Sequence, residues 1–310
     1  MKTSAILVSL VALLAASACA QAETTVPLKV NRDVSFVTIK VGGVAIPDIL
    51  LDTGFAFDGV LIYEPAYRDS LALAGAMEVR VPGAGSGEAS KALMLDSASF
   101  RLGDLELTNQ KVIVLLGDAF KGFPSNGIVG YSVFGHYVAK LDYDLGTMTL
   151  YDPGEAKIDS GWTAMPLYFK KNNIPWMDVS VVIEQERPTR LSTYIDFAAS
   201  EPIELLERPG MKVGLPEKTI DAYLGTGLSG DIHGKKGNIS KLIIGPYELN
   251  DVTASFAPAK VRSKQENADA VLGSGALRRF NLIFDYSNRK LYMKPNAQFN
   301  EPFSEDPTAK

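Results

Sequence analysis

The chain has 310 residues, 46% of them hydrophobic, and a formal net charge of −5. That size and apolar content can bury one large core or two ordinary ones, which excludes a globally disordered chain. The mild negative balance lacks the basic field that nucleic acid or an anionic membrane surface would require, which leaves peptides, proteins or small molecules as partners.

Met1-Lys2-Thr3 followed by the apolar run Ala5 to Ala16 has the charged head and short hydrophobic core of an export signal. Ala20-Gln21-Ala22 offers small residues for cleavage before Glu23, so 1–22 reads as a signal peptide and the mature protein as periplasmic or cell-envelope. A competing reading takes Ala16-Ser17-Ala18-Cys19 as a loose lipobox with a lipid anchor at Cys19. Cys19 is the only cysteine, so a chain cleaved after Ala22 has no disulfide and depends on its core for stability.

Phe36 to Val41 is β-branched and aromatic and reads as a strand. Next comes Ile49 to Phe57, "ILLDTGFAF", an apolar run that delivers the carboxylate of Asp52 to a turn. Glu64 to Leu73 is a helix candidate, and Gly83-Ala84-Gly85-Ser86-Gly87 is a hairpin tip. Val112 to Leu116 is a further strand, and Ile128-Val129-Gly130 precedes a helical turn or two over Ser132 to Tyr137. The polar stretch Gly154 to Gly161 separates a first unit, 23–157, from a second, 158–300. In the second unit Val179 to Ile183 is a strand, Asp196 ends the run "STYID", and Gly225 to Gly230 forms another glycine-rich tip. Val271-Leu272-Gly273 then leads into a short helix over Gly275 to Phe280, and the polar tail 301–310 is expected to fray.

The two units repeat one another. "NGIVGYSVFGHYVAKLDYDLGTMTLYDP" from Asn126 aligns with "DAVLGSGALRRFNLIFDYSNRKLYMKP" from Asp269, at an offset of about 143 residues. The same offset carries Asp52 onto Asp196, Gly83–Gly87 onto the region of Gly225–Gly230, and Leu102-Gly103-Asp104-Leu105 onto Ile244-Gly245-Pro246-Tyr247. A period this long indicates an internal duplication of a domain, because solenoid units run only about 20 to 50 residues.

With Leu50-Leu51-Asp52-Thr53-Gly54 and Ile128-Val129-Gly130 in one unit, echoed by Tyr194-Ile195-Asp196 and Val271-Leu272-Gly273 in the other, the chain resembles the bilobal aspartic proteases of the pepsin and retropepsin superfamily over roughly residues 34 to 296. The resemblance implies a mostly-β, two-lobed fold with a central cleft and short helices. It makes Asp52 and Asp196 the catalytic dyad, supported by Thr53, Gly54, Gly130 and Gly273. Flaps at Gly83, Gly85, Gly87, Gly227 and Gly230 would cover the cleft. Two carboxylates held close together cannot both ionise, so one retains a proton while the other takes one from the attacking water. The substrate would be a peptide or protein, and the working form a monomer needing no cofactor.

The pattern is broken in places. Phe55 stands where a small residue is expected after Asp-Thr-Gly, and Phe197-Ala198 replaces Thr/Ser-Gly after Asp196. Phe197 has no hydroxyl with which to brace the loop, and Ala198 adds a Cβ where a glycine conformation is expected. Asp196 is therefore open to three readings: a working partner, a relic in an inactive peptide-binding pseudo-protease, or an unrelated strand-end aspartate. A further option pairs the first lobes of two chains, as retropepsins do, bringing two copies of Asp52 together.

Other signals read as structural. Gly225-Thr226-Gly227-Leu228-Ser229-Gly230 fits G-x-G-x-x-G, but the following "DIHGKKGNIS" is a poor helix, so a dinucleotide site is not expected. His136 and His233 are the only histidines, read as a surface or packing residue and a loop residue, which leaves no zinc site of familiar spacing. No Gly-x-Ser-x-Gly elbow occurs. Asp142-Tyr143 and Asp285-Tyr286 repeat as strand-end pairs.

Overall fold

In a computed structural model, residues 23–85, 87–117, 120, 123–170, 172–184, 186–262 and 267–303 are described. The segment 1–22 read as an export signal, Cys19 within it, and the end of the polar tail lie outside the described residues. Runs such as Val34–Val41 and Pro175–Val182 are β-branched and bury most positions on both faces, as strands packed between layers must. They assemble into three sheets.

One eight-stranded sheet lies wholly within the first unit and another wholly within the second. Their pairing schemes match strand for strand. Val44–Leu51 runs parallel to Gly127–Val129, and Thr189–Asp196 parallel to Ala270–Gly273. Gly59–Ile62 is antiparallel to Gly127–Val129 and parallel to Leu105–Leu115, while Ile203–Glu207 is antiparallel to Ala270–Gly273 and parallel to Tyr247–Pro258. Each sheet contains a long hairpin, Ser90–Leu102 with Leu105–Leu115 and Gly230–Ile244 with Tyr247–Pro258, edged by Met77–Val81 or Ile220–Gly227.

The third sheet has six strands, three from each unit. Val138–Asp142 and Phe280–Asp285 meet antiparallel at its centre, Ala139 opposite Phe284 and Leu141 opposite Leu282, so the lobes are joined by a continuous hydrogen-bond ladder. The main apolar core runs through this sheet into both lobes, with Phe134, Phe197, Phe280 and Phe284 fully buried in it. Two smaller clusters flank the cleft, one around Phe36, Phe55 and Tyr63, the other around Trp176, Tyr194 and Val261.

Three expectations need correction. The helix expected over Glu64 to Leu73 is confined to Pro65–Arg68, which fully buries no residue; Tyr67, Leu71 and Leu73 pack on the edge of the main core, and the chain continues in turns through Ser70 and Leu71. His233 lies on the strand Gly230–Ile244, edge-on to Tyr223, and not in a loop. Residues 301–303 of the tail do not fray. The buried Arg279 donates to the carbonyls of Phe299, Glu301 and Pro302 and stacks on Phe303, 3.6 Å from the ring centre.

Candidate active site

Asp52 follows and Asp196 ends a strand paired in parallel within its own lobe, and hydrogen bonds from Thr53 to Ile195 O and from Phe197 N–H to Thr53 hold the two strand ends together where the lobes meet. The loops that follow are hydrogen-bonded alike. Phe55 N–H donates to Asp52 O and Tyr131 N–H to Phe55 O; Ala199 N–H donates to Asp196 O and Ser274 N–H to Ala199 O. Gly130 and Gly273 make these loops possible, because a Cβ on either would stand 2.1 Å from the carbonyl oxygen of Asp52 or of Glu201.

The carboxylates converge. The point where a Cβ on Gly54 would lie is 3.0 Å from Asp52 Oδ1 and 3.7 Å from Asp196 Oδ1. Asp52 Oδ1 accepts from the N–H of Gly54 at 2.7 Å and of Phe55 at 3.2 Å. Asp196 Oδ1 accepts from Ala198 N–H at 3.2 Å. Ala198 is absent from the residues with positive φ, so alanine meets the conformation here and the expected need for glycine does not arise. Loss of bulk water at the recessed carboxyl, together with the nearby charge of Asp196, pushes Asp52 up to about 7 against the opposing pull of the loop N–H groups and Arg262.

The brace between the loops is one-sided. Thr53 Oγ1 donates to Ile195 O at 2.8 Å and accepts from Phe197 N–H at 3.0 Å, so this single buried hydroxyl ties the first loop to the second. The Phe197 side chain does not reciprocate; it packs edge-on against Phe134 and Phe284 in the shared core, and its carbonyl accepts from Ser274 Oγ. Phe55 is buried against the first-lobe cluster and tilted against Phe57, so its bulk stays out of the dyad.

Arg262 and Glu204 were not singled out from the sequence. Arg262 ends the short 3₁₀ turn Ala259–Arg262, donating through Nε to Glu204 Oε1 at 2.9 Å and through Nη1 to Asp196 Oδ2 at 3.3 Å. The available signal was Glu204 itself, an acid flanked by apolar residues in "IELL". Arg262, in "AKVRSK", reads as ordinary surface charge.

Both glycine-rich tips lie over the cleft and touch each other. Gly83 N–H donates to Ser229 Oγ at 3.1 Å, Ser229 N–H to Ala84 O at 2.8 Å, and Gly87 N–H to Ser229 O. Gly227 and Gly230 end the strands on either side of the Leu228-Ser229 turn, and Gly85 N–H donates to Val261 O at 3.3 Å. The tips also cross over. Leu228 of the second lobe packs on the first-lobe cluster, and Ala84 of the first lobe packs on the second-lobe cluster. The G-x-G-x-x-G match is thus a hairpin tip, followed by a strand.

His136 Nε2 pairs with Asp58 Oδ1 at 2.5 Å on the exposed surface. Asp285 accepts from Ser287 and Asn288, and Asp142 from Leu145 N–H, so these repeated carboxylates close their own turns. Among the described residues, no group of three or more His, Cys, Asp and Glu side chains could hold a metal ion, and no helix is long and apolar enough to cross a membrane.

No protein-family model matches the chain, and no curated protein is significantly similar to it. Among solved structures it is similar to the aspartic proteinase from Irpex lacteus, with a TM-score of 0.55 at 11% identity, over 91% of this chain and 100% of that one. The chain has the mostly-β, two-lobed fold of the pepsin-like aspartic proteinases.

Proposed function

We propose that this chain is an exported aspartic peptidase, hydrolysing peptide bonds in a peptide or protein substrate through Asp52 and Asp196 within one monomer. The observation that carries the reading is the convergence of the two carboxylates near Gly54, each on a loop hydrogen-bonded in the same way. One carboxylate takes a proton from water as it attacks the peptide carbonyl, and the other gives its proton to the developing oxyanion. An extended peptide would lie between the dyad and the two flap tips, which part to admit it. The convergence favours a single-chain dyad over a dimer of first lobes, and the matched sheets support an internal duplication. Export is proposed from the sequence of 1–22 alone.

The test is turnover of a peptide library across acid and neutral pH by the wild type and Asp52→Asn. Cleavage that disappears in the variant supports the reading, and cleavage that survives it refutes it. The second reading, an inactive peptide-binding cleft, is favoured by Phe197 in place of a bracing hydroxyl and by Leu228 packed on the first-lobe cluster. It requires peptide binding by the wild type with no cleavage at any pH.

A further inference from the structure

The lobes match in strand order, yet one carries buried charges at a position the other fills with an apolar side chain. Glu204 lies opposite Val271 and Ser255 in its sheet; the first-lobe residue with corresponding neighbours, opposite Ile128 and Ile113, is Leu61. Leu61 is fully buried and Glu204 is 4% exposed. A carboxylate in an apolar sheet is strongly disfavoured unless it is paired. Glu204 is paired with Arg262, and the same guanidinium reaches Asp196 Oδ2.

This chain of contacts makes the two carboxylates of the dyad unequal. A guanidinium has donors only, so the Asp196 oxygen facing it must accept. The other Asp196 oxygen accepts from Ala198 N–H. Both oxygens of Asp196 are therefore engaged by donors, whereas the hydrogen bonds given to Asp52 among the described residues all fall on Oδ1. Glu204 offsets the charge of Arg262, so Asp196, Arg262 and Glu204 together carry one net negative charge, the number a water-activating pair needs when its other member is protonated. Among the described residues, the other titratable side chains facing the site include Tyr63, Tyr194 and Tyr286, which burial keeps neutral.

We propose that Arg262, backed by Glu204, is a positioning residue that assigns the proton of the pair, making Asp196 the ionised, water-activating member and Asp52 the proton-bearing member. In the peptidase reading, on which the catalytic consequence rests, Asp196 accepts a proton from water as the water oxygen bonds to the peptide carbon. The Asp52 proton passes to the carbonyl oxygen, giving a neutral gem-diol. The C–N bond then breaks as Asp196 returns its proton to the amine nitrogen and Asp52 recovers one from a hydroxyl. No oxidant, metal or co-reactant enters the balance.

The test reads the proton directly, by carboxyl-carbon NMR of the full chain with labelled aspartate, the two resonances being assigned from their loss in Asp52→Asn and Asp196→Asn. The expected result is that, between about pH 5 and pH 9, Asp52 titrates in the wild type while Asp196 stays at an ionised shift. In Arg262→Gln the two resonances should move together, and Arg262→Lys should restore much of the wild-type pattern. A protonated Asp196 beside an ionised Asp52 in the wild type, or an unchanged pattern in Arg262→Gln, overturns the proposal. The wild-type titration decides it even where Arg262→Gln fails to fold. Peptide cleavage is scored separately, so a wild type that cleaves nothing defeats the peptidase reading while the NMR still decides the proton assignment.

Discussion

Asp52 makes the folded state sensitive to pH in a direction opposite to most carboxylates. Its folded value of about 7 stands above the ordinary 3.8, so below about 3.8 both states are protonated and its contribution is fully present. Between those values the folded state holds the extra proton, and stability falls as pH rises. The interval corresponds to roughly 4 kcal/mol, which residual solvent at the half-buried carboxyl reduces to about 2–3 kcal/mol. Asp52→Asn removes the ionisable group while its side-chain oxygen can still accept from Gly54 and Phe55 N–H. Urea unfolding at about pH 5 and pH 8 should show the wild type losing about 1–2 kcal/mol more than Asp52→Asn over that rise, because the part of the interval below pH 5 is not sampled. Comparing the two proteins cancels the share of groups that do not interact with Asp52. Asp269 acts elsewhere in any case: burial works to raise it, but Lys212, the Ser192 N–H and Arg208 outweigh that effect, so its contribution is lost only as pH falls below the ordinary value. Equal losses in wild type and variant, or a larger loss in the variant, would show that Asp52 is not held protonated by desolvation and its neighbour.

Thr53→Val should destabilise by about 2–5 kcal/mol in the same assay, since it strips partners from the buried Phe197 N–H and Ile195 C=O, while Thr53→Ser stays within about 1 kcal/mol of wild type. Phe197→Thr, which places a hydroxyl at the position corresponding to Thr53, should cost about 3 kcal/mol or more, because it leaves a cavity beside Phe134 and Phe284; a neutral result would mean that a second polar brace can simply be added. Leu228→Ala should leave global stability nearly unchanged but speed hydrogen exchange at Gly83 and Ser229, whose amides hold the tips together; unaltered protection there would refute the view that Leu228 keeps the flaps shut.

The fold was legible because strand periodicity and long-range self-similarity both survive in the sequence. The offset that aligns Ile128-Val129-Gly130 with Val271-Leu272-Gly273 also aligns strands that pair identically, since an inter-strand register tolerates no slip where one face is buried. The dyad loops were legible for the same reason: Gly130 and Gly273 are fixed by backbone contacts that admit no Cβ. What the sequence hid depends on approach in space between distant residues. Nothing in "AKVRSK" indicates that Arg262 turns inward to an aspartate 66 positions earlier, or that Leu228 crosses to the opposite lobe. Ala198 stands where glycine is expected without strain, because its φ is not positive.

Phe197, Glu204 and Arg262 share a property that bears on why a two-lobed chain can differ from an assembly of identical halves. Each sits on one side of the dyad, opposite Thr53 and Leu61 on the other. In a symmetric dimer any such residue would appear twice: two phenylalanines would remove the hydroxyl brace altogether, and two Arg–Glu pairs would hold both carboxylates as acceptors with no member left to carry the proton. Within one chain the brace needs only one hydroxyl, because Thr53 satisfies both a carbonyl and an N–H of the opposite loop. The position it leaves open is filled by an aromatic that joins the core of the six-stranded sheet. Rigidity between the lobes is thus carried by the central ladder and by Phe134, Phe197 and Phe284, and the dyad need not be symmetric to be held in place. It follows that paired variants should not behave alike. Thr53→Phe, the mirror of the natural second loop, would remove the remaining brace and place a ring against one already there, so it should unfold the protein at a temperature well below that of Phe197→Thr. If the two variants melted together, the loops would be interchangeable and the asymmetry without structural consequence.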